Sequence, residues 1–278
     1  MKTDERKENM QPLLKVENLM KSYTKWKLTG QPEQVRAVEG VSFSVCRGNT
    51  LVLVGESGSG KSTLAFCLAC LERPTSGSIW FEGTDILKLS EKDRRVVRRQ
   101  IQLIFQDPAS SLNPRWTVME IVTEPLVLQG SLSRAEMTSR VHALLDQVDL
   151  SSDVEEKLPS ELSGGQRQRV AIARALTLEP KLLILDEALS ALDCSVQAQI
   201  ANLLVELQDS LAMSYVFISH DFAMAAHLAD EIAVMSHGRI VEQGSPGKIL
   251  KEPENKVTRE LLAAVPRMSF SHLRPPEF

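Results

Sequence analysis

The chain lacks most of what would mark it as a secreted, membrane-spanning or nucleic-acid-binding protein. Its 278 residues hold four cysteines, none beyond Cys194, too few and too scattered for a disulfide framework. No run approaches eighteen uninterrupted apolar residues, which argues against a membrane span carried by the chain itself. The formal charge of −4 gives no electrostatic case for nucleic acid as a partner. Met1 to Asn9 is charged and has no apolar core of a signal peptide, so residues 1–12 are expected to be a disordered leader and the protein cytosolic. Cys67 and Cys70 form a C-x-x-C, but they lie in the apolar stretch Leu64 to Leu71 with no second Cys or His pair nearby. They read as small core residues, not as a metal or redox site.

What is present is an ordinary globular composition, 43% apolar and 24% charged, long enough for one large domain or two small ones. Leu13 to Tyr23 and Val35 to Val45 alternate in polarity as strands do, with a polar loop holding Gly30 and Pro32 between them. Pro74-Thr75-Ser76-Gly77 reads as a turn before a short strand, Ser78 to Phe81. Ser90 to Gln100 is basic and reads as a solvated helix; Ile101 to Phe105 reads as a buried strand. From Asp107 to about Leu162 strand signals stop, and Asn113-Pro114, Glu124-Pro125 and Leu158-Pro159 punctuate helical segments. Apolar strands then alternate with helices again: Leu182 to Leu185, a helix from Ser195 to Leu211, Tyr215 to Ile218, and a hairpin turning at His237-Gly238. This pattern predicts an α/β fold with a mostly parallel sheet covered on both faces.

Two motifs give that fold a chemistry. Gly55-Glu56-Ser57-Gly58-Ser59-Gly60-Lys61-Ser62 fits G-x-x-x-x-G-K-[ST], lying between the apolar Leu51 to Val54 and a helix that opens Ser62-Thr63-Leu64. Glycines there let several backbone N–H groups converge on a polyphosphate, and the helix adds its positive end. Lys61 supplies a cation for the terminal phosphates, and the Ser62 hydroxyl suits Mg²⁺. The second motif, Leu162-Ser163-Gly164-Gly165-Gln166, has Ser163 placed as the N-cap of a helix and is a second candidate anion site. Alone it is equally compatible with a capped surface helix. Leu182 to Leu185 runs into Asp186 and Glu187 at the carboxyl edge of the sheet, where Asp186 can serve Mg²⁺ and Glu187 can orient water.

Together these motifs resemble the ATP-binding cassette (ABC) family, over roughly Leu13 to Pro266. The resemblance implies a P-loop nucleotide hydrolase with an N-terminal antiparallel β portion, a helical subdomain inserted at about 107–162, and a tail at 267–278. It implies ATP held by Tyr23 on the adenine, by Gly55 to Thr63 and by Gln106, with Mg²⁺ at Ser62, Gln106 and Asp186. It implies catalytic roles for Glu187 and His220. The Leu162 to Gln166 signature of a second ABC ATPase subunit, identical or related, closes over that ATP, and the loop Ser190 to Asp193 crosses to it. Phe105 to Pro108, Ser111 to Pro114, Glu124 to Leu126, Ser195 to Gln199 and Thr258 to Leu262 are similar to the ATPase subunits of peptide and nickel importers. That likeness implies two membrane permease subunits, an extracytoplasmic binding protein met indirectly, and a place on the cytoplasmic face of the inner membrane. Ser110 to Pro114 is the expected docking segment, with Leu112 as its apolar contact. Two departures stand out: Ala188-Leu189 replaces a more familiar Pro-Thr or Pro-Val, and no C-terminal cysteine cluster is present. The alternative is a non-transport ABC ATPase acting on nucleic acid or ribosomes.

Overall fold

The computed structural model describes residues 11–25, 32–107, 111–130 and 132–264; the expected leader before residue 11, the Gly30 turn, Ser110 and the tail beyond 264 lie outside them. Two sheets face one another. The larger has the order β10(Arg239–Gly244)-β9(Glu231–Ser236)-β3(Thr50–Val54)-β8(Ser214–Ser219)-β7(Leu182–Asp186)-β6(Ile101–Ile104), parallel throughout except for the β9–β10 hairpin. The smaller is antiparallel, β2(Glu33–Val45)-β1(Leu14–Lys25)-β4(Ser76–Phe81)-β5(Thr84–Asp85).

Side chains alternate between two covered faces, so the central strands are buried at every position and apolar at most of them. Leu51, Leu53, Ile184, Val216 and Ile218 point into a core shared with the small sheet. Val52, Val54, Leu183, Leu185 and Phe217 point the other way, into a core shared with the helices. Each such side chain, removed from water, contributes about 1.5–3 kcal/mol before entropy is charged against it.

The phosphate-loop helix α1 (Lys61–Leu68) follows β3, and α2 (Glu91–Gln100) leads into β6. Among the described residues between 107 and 162 there are helices and no strand: α3 (Val118–Gln129) and α4 (Arg134–Gln147), each opened by a reciprocal capping box, Thr117 with Glu120 and Ser133 with Glu136. Both pack on α5 (Gly164–Leu176), so the helical packing continues past residue 162. α6 (Cys194–Leu211), α7 (Phe222–Leu228), α8 (Pro246–Lys251) and α9 (Lys256–Ala264) complete the chain. No helix among the described residues is long and apolar enough to cross a membrane.

Three local readings differ from the structure. β4 begins at Ser76, inside the predicted turn, because Met20 pairs with Ser76 across an irregularity in β1. α3 runs through Pro125 instead of stopping there; burial of Val118, Ile121, Val122 and Leu126 outweighs the lost N–H bond. Phe105 lies outside β6, whose pairing with β7 ends at Ile104 and Leu185. Of the two cysteines of the C-x-x-C, Cys70 is half-buried against the core. Cys67 is buried in the core, and burial pushes its thiol up to about 11.

Candidate nucleotide site

Parallel pairing sets four chain segments side by side at one edge of the large sheet. Along the order β3, β8, β7, β6, the strands end at the phosphate loop, at His220, at Asp186-Glu187 and just before Gln106. Residues up to 165 positions apart in sequence therefore share one rim, the rim at which open α/β sheets bind ligands.

The loop's shape is imposed by its walls. Gly60 has φ +104°, and a β-carbon there would stand 2.0 Å from the Ala37 carbonyl oxygen. Only glycine fits, and the strand β2 can then lie directly against the loop. Gly60 is also the N-cap of α1 and offers no capping side chain, so the first N–H groups of that helix are left for an anion. Glu56, Ser57 and Gly58 form the exposed tip, and Ser59 and Lys61 are buried beneath it. The Lys61 ammonium donates to the carbonyls of Gly55 and Glu56 at 2.8 Å and to Ser59 Oγ at 3.4 Å. Burial depresses its pKa, while the charges of Glu187, Asp186 and Glu56 oppose the fall. Thr63 is half-buried on the first turn of α1.

Ser62 Oγ donates to Asp186 Oδ1 at 3.1 Å. Burial raises the Asp186 pKa, the Ser62 hydrogen bond lowers it, Glu187 raises it and Lys61 lowers it, with the net shift upward. A buried carboxylate in that state gains from a cation brought beside it. Glu187 takes φ +46°, a left-handed conformation uncommon outside glycine. It is held there by its N–H donating to the Ile218 carbonyl at 3.0 Å and by Ser190, whose N–H and hydroxyl both donate to the Glu187 carbonyl. Ala188 and Leu189 are buried inside this turn. The consequence is a carboxylate aimed between two neighbours: Gln106 Nε2 donates to Glu187 Oε2 at 3.1 Å, and His220 Nδ1 lies 3.7 Å from the same oxygen.

The second motif is built as a helix start. Ser163 Oγ accepts from the Gln166 N–H at 3.2 Å, and Gln166 Oε1 accepts from the Ser163 N–H at 2.9 Å. Leu162 is buried beneath this cap. Gly164 and Gly165 let the Leu192 and Val196 side chains approach: β-carbons would sit 3.1 and 2.6 Å from them. The loop Ser190 to Asp193 therefore packs on the motif of its own chain. Asp193 has a structural task as well, capping α6 by accepting from the Val196 N–H at 3.0 Å. Among the described residues no hydrogen bond joins this motif to the phosphate loop.

Tyr23 stands near the end of β1, opposite Val35. Two residues along β2, the Ala37 carbonyl stands against Gly60, so the strand that pairs with the Tyr23 end of β1 adjoins the phosphate loop. Leu112 does not take the exposed position expected of it. It is 2% exposed and belongs to the apolar core with Val118 and Ile121. The sequence reading also missed Arg174, which donates to the Ser111 carbonyl at 3.1 Å and to Glu124 Oε2 at 2.7 Å, tying α5 to α3 and to the segment after Gln106. Its long separation from both partners left no local signal.

Known proteins resemble this chain in both sequence and fold. Residues 38–190 match the family model described as ABC transporter. The chain is 45% identical to the dipeptide transport ATP-binding protein DppF of Haemophilus influenzae, over 96% of this chain and 82% of that protein. It is 51% identical to a probable peptide ABC transporter ATP-binding protein, y4tS, of Sinorhizobium fredii, over 91% of this chain and 72% of the relative. Among solved structures, cbiO1 of Clostridium perfringens, part of the transporter complex cbiONQ, superposes with a TM-score of 0.76 at 32% identity, covering 91% of this chain and 96% of that one. A dimeric cassette, MJ0796, bound to ADP and phosphate in a post-hydrolysis state, gives 0.75 at 30% identity, covering 84% and 98%.

Proposed function

The chain belongs to the ABC transporter family as an ATPase cassette, and from that premise we propose that it energises uptake of peptides through separate permease subunits at the cytoplasmic face of the inner membrane. The observation that carries the mechanism is the shared rim: phosphate loop, Asp186, Glu187, Gln106 and His220 on adjacent strand ends. The polyphosphate of ATP lies on the N-terminus of α1 and exchanges the loop carbonyls for its own oxygens at Lys61. The base stacks on Tyr23. Ser62, Asp186 and Gln106 present hard oxygen donors, and the 3.1 Å Ser62–Asp186 pair fits a small divalent cation. Mg²⁺ held there would supply charge neutralisation for the phosphates. Glu187 orients the attacking water, and His220 steadies Glu187 from the side facing the γ-phosphate.

A second ATPase subunit completes the site by laying its Leu162 to Gln166 motif on the ATP; the dimer seen for MJ0796 supports this arrangement. Gln106, hydrogen-bonded to Glu187, leads within a few residues to Ser111, which Arg174 joins to α5. Occupancy of the site can thus be passed to the helices and on to a permease. The docking surface is a groove at the junction of sheet and helices, lined by Leu71, Phe105, Pro125 and Leu128 with Arg98 and Arg174 at its sides. Leu71, Phe105 and Leu128 are exposed there. The peptide relatives favour peptide over nickel as cargo.

Two substitutions separate docking from folding. Leu112→Asp buries a charge in the core and is expected to lower stability by about 3 kcal/mol or more, read as a lower melting temperature. Leu128→Glu, at a position 78% exposed, should shift stability by no more than about 0.5 kcal/mol while abolishing co-purification with the permease. Retention of the permease by the Leu128 variant removes this groove as the docking surface. The cargo is tested by deleting the gene and measuring uptake of a labelled dipeptide and of ⁶³Ni²⁺ side by side. Loss of dipeptide uptake alone is expected; loss of nickel uptake alone overturns the peptide reading.

A further inference from the structure

Lys21 and Tyr23 leave β1 on the same face, and the lysine is the more deeply set of the two, its side chain 13% exposed. Its ammonium is held by Glu72 Oε2 at 2.6 Å and by the Arg73 carbonyl at 2.9 Å, and it stands over the Tyr23 ring, 4.8 Å from the centroid. Glu72 and Arg73 belong to the segment that follows α1 directly. That segment is itself rigid: the N–H groups of Leu71 and Glu72 fold back on the Phe66 carbonyl at 2.9 and 3.1 Å. The backbone then stitches it to β1, with Thr75 N–H donating to the Met20 carbonyl at 2.7 Å and Ser22 N–H to Thr75 Oγ1 at 3.0 Å. One end of α1 therefore carries the phosphate loop, and the segment after its other end carries the anchor for the Tyr23 ring.

We propose that Lys21 is a positioning residue for base recognition: fastened by Glu72 and the Arg73 carbonyl, it covers one face of the Tyr23 ring and fixes the other face, at a set distance from the phosphate loop, for adenine. A cation on one side of a π-system is attracted to the ring, and it draws density from the side that meets the electron-rich base. Covering one face also removes the alternative of a ring lying flat against either side of the strand. The hydrogen bond to Glu72 and the charge of that carboxylate raise the Lys21 pKa, so the ammonium stays charged throughout the neutral range. The inference rests on the reading of Tyr23 as the base platform.

The test compares two ligands of the purified full-length chain by calorimetry: ATP, and inorganic tripolyphosphate, which has the phosphates without the base. Lys21→Met is expected to weaken ATP by about three- to tenfold, the range of a partly desolvated cation–π contact, and to leave tripolyphosphate unchanged. Lys21→Arg, which keeps the charge over the ring, should retain most of the ATP affinity and guards against a folding defect in the methionine variant. In a Tyr23→Ala background the Lys21 change should add nothing further. If Tyr23→Ala weakens ATP while Lys21→Met does not, the positioning role is overturned and the base platform stands. Equal loss for both ligands in Lys21→Met places the lysine in support of the phosphate loop and overturns the proposal. If Tyr23→Ala leaves the ratio of the two affinities unchanged, the base platform itself falls, and the proposal with it.

Discussion

Glu187→Gln is expected to bind ATP as tightly as the native chain and to lose turnover by about 10²- to 10⁴-fold, the contribution of a positioned general base. The geometry says why the loss should be confined to chemistry. The turn that sets the side chain is held by backbone bonds, from Glu187 N–H to Ile218 and from Ser190 to the Glu187 carbonyl, and none involves the carboxylate. A glutamine amide oxygen can still accept from Gln106 Nε2, now at 3.1 Å from Oε2. What it cannot do is draw a proton from water. Phosphate release and ATP titration on the same preparation check this. Native turnover in the variant would move the catalytic role to another residue, with His220, 3.7 Å away, the first to examine.

Lys61→Ala should weaken ATP by about 10- to 150-fold, corresponding to the roughly 1.5–3 kcal/mol of a hydrogen bond to a charged group. Lys61 is the one cation of the phosphate loop, and its ammonium lies buried among three loop acceptors. Removing it leaves the Gly55 and Glu56 carbonyls without that donor and the incoming phosphates without compensation. A modest fall in melting temperature should accompany the affinity loss, because a buried aliphatic stem is deleted as well. Calorimetric titration together with a thermal melt reads both. Unchanged ATP affinity in a folded variant removes Lys61 from phosphate binding.

The residues of the candidate site were largely legible in the sequence because they lie in contiguous motifs whose residues are dictated locally. Gly60 must be glycine for its neighbours and its φ, and the run Leu182 to Leu185 must be apolar to be buried on both faces. The relation among the motifs was legible only through the family resemblance. Nothing in the spacing of Gln106, Glu187 and His220 states that parallel strand order sets them on one rim. Surface position was the weakest inference. Leu112 lies in a polar, proline-marked segment and looks exposed, yet it is drawn into the helical core beside Val118. Conversely Leu128, two residues after the buried Leu126 in the same helix, is 78% exposed. Whether an apolar side chain faces a core or a partner depends on tertiary packing, which periodicity over one short helix interrupted by Pro125 does not encode. Arg174 and Lys21 were missed for the same reason: each acts through a partner that only folding brings near, whereas the capping of α6 by Asp193, through the Val196 N–H three residues on, is a local N-cap signal.

The central claim is that ATP is enclosed between the phosphate loop of one subunit and the Leu162 to Gln166 motif of another. The measurement that tests it most directly is the mass in solution of the Glu187→Gln chain by light scattering, with and without ATP. It is made on the chain alone and after mixing with any ATPase subunit encoded beside it. The account predicts a 30.9 kDa species without nucleotide and a two-subunit species when ATP is added, in at least one of the two preparations. Adding Lys61→Ala to the same chain should abolish the shift. A single-subunit mass at saturating ATP in both preparations contradicts the account.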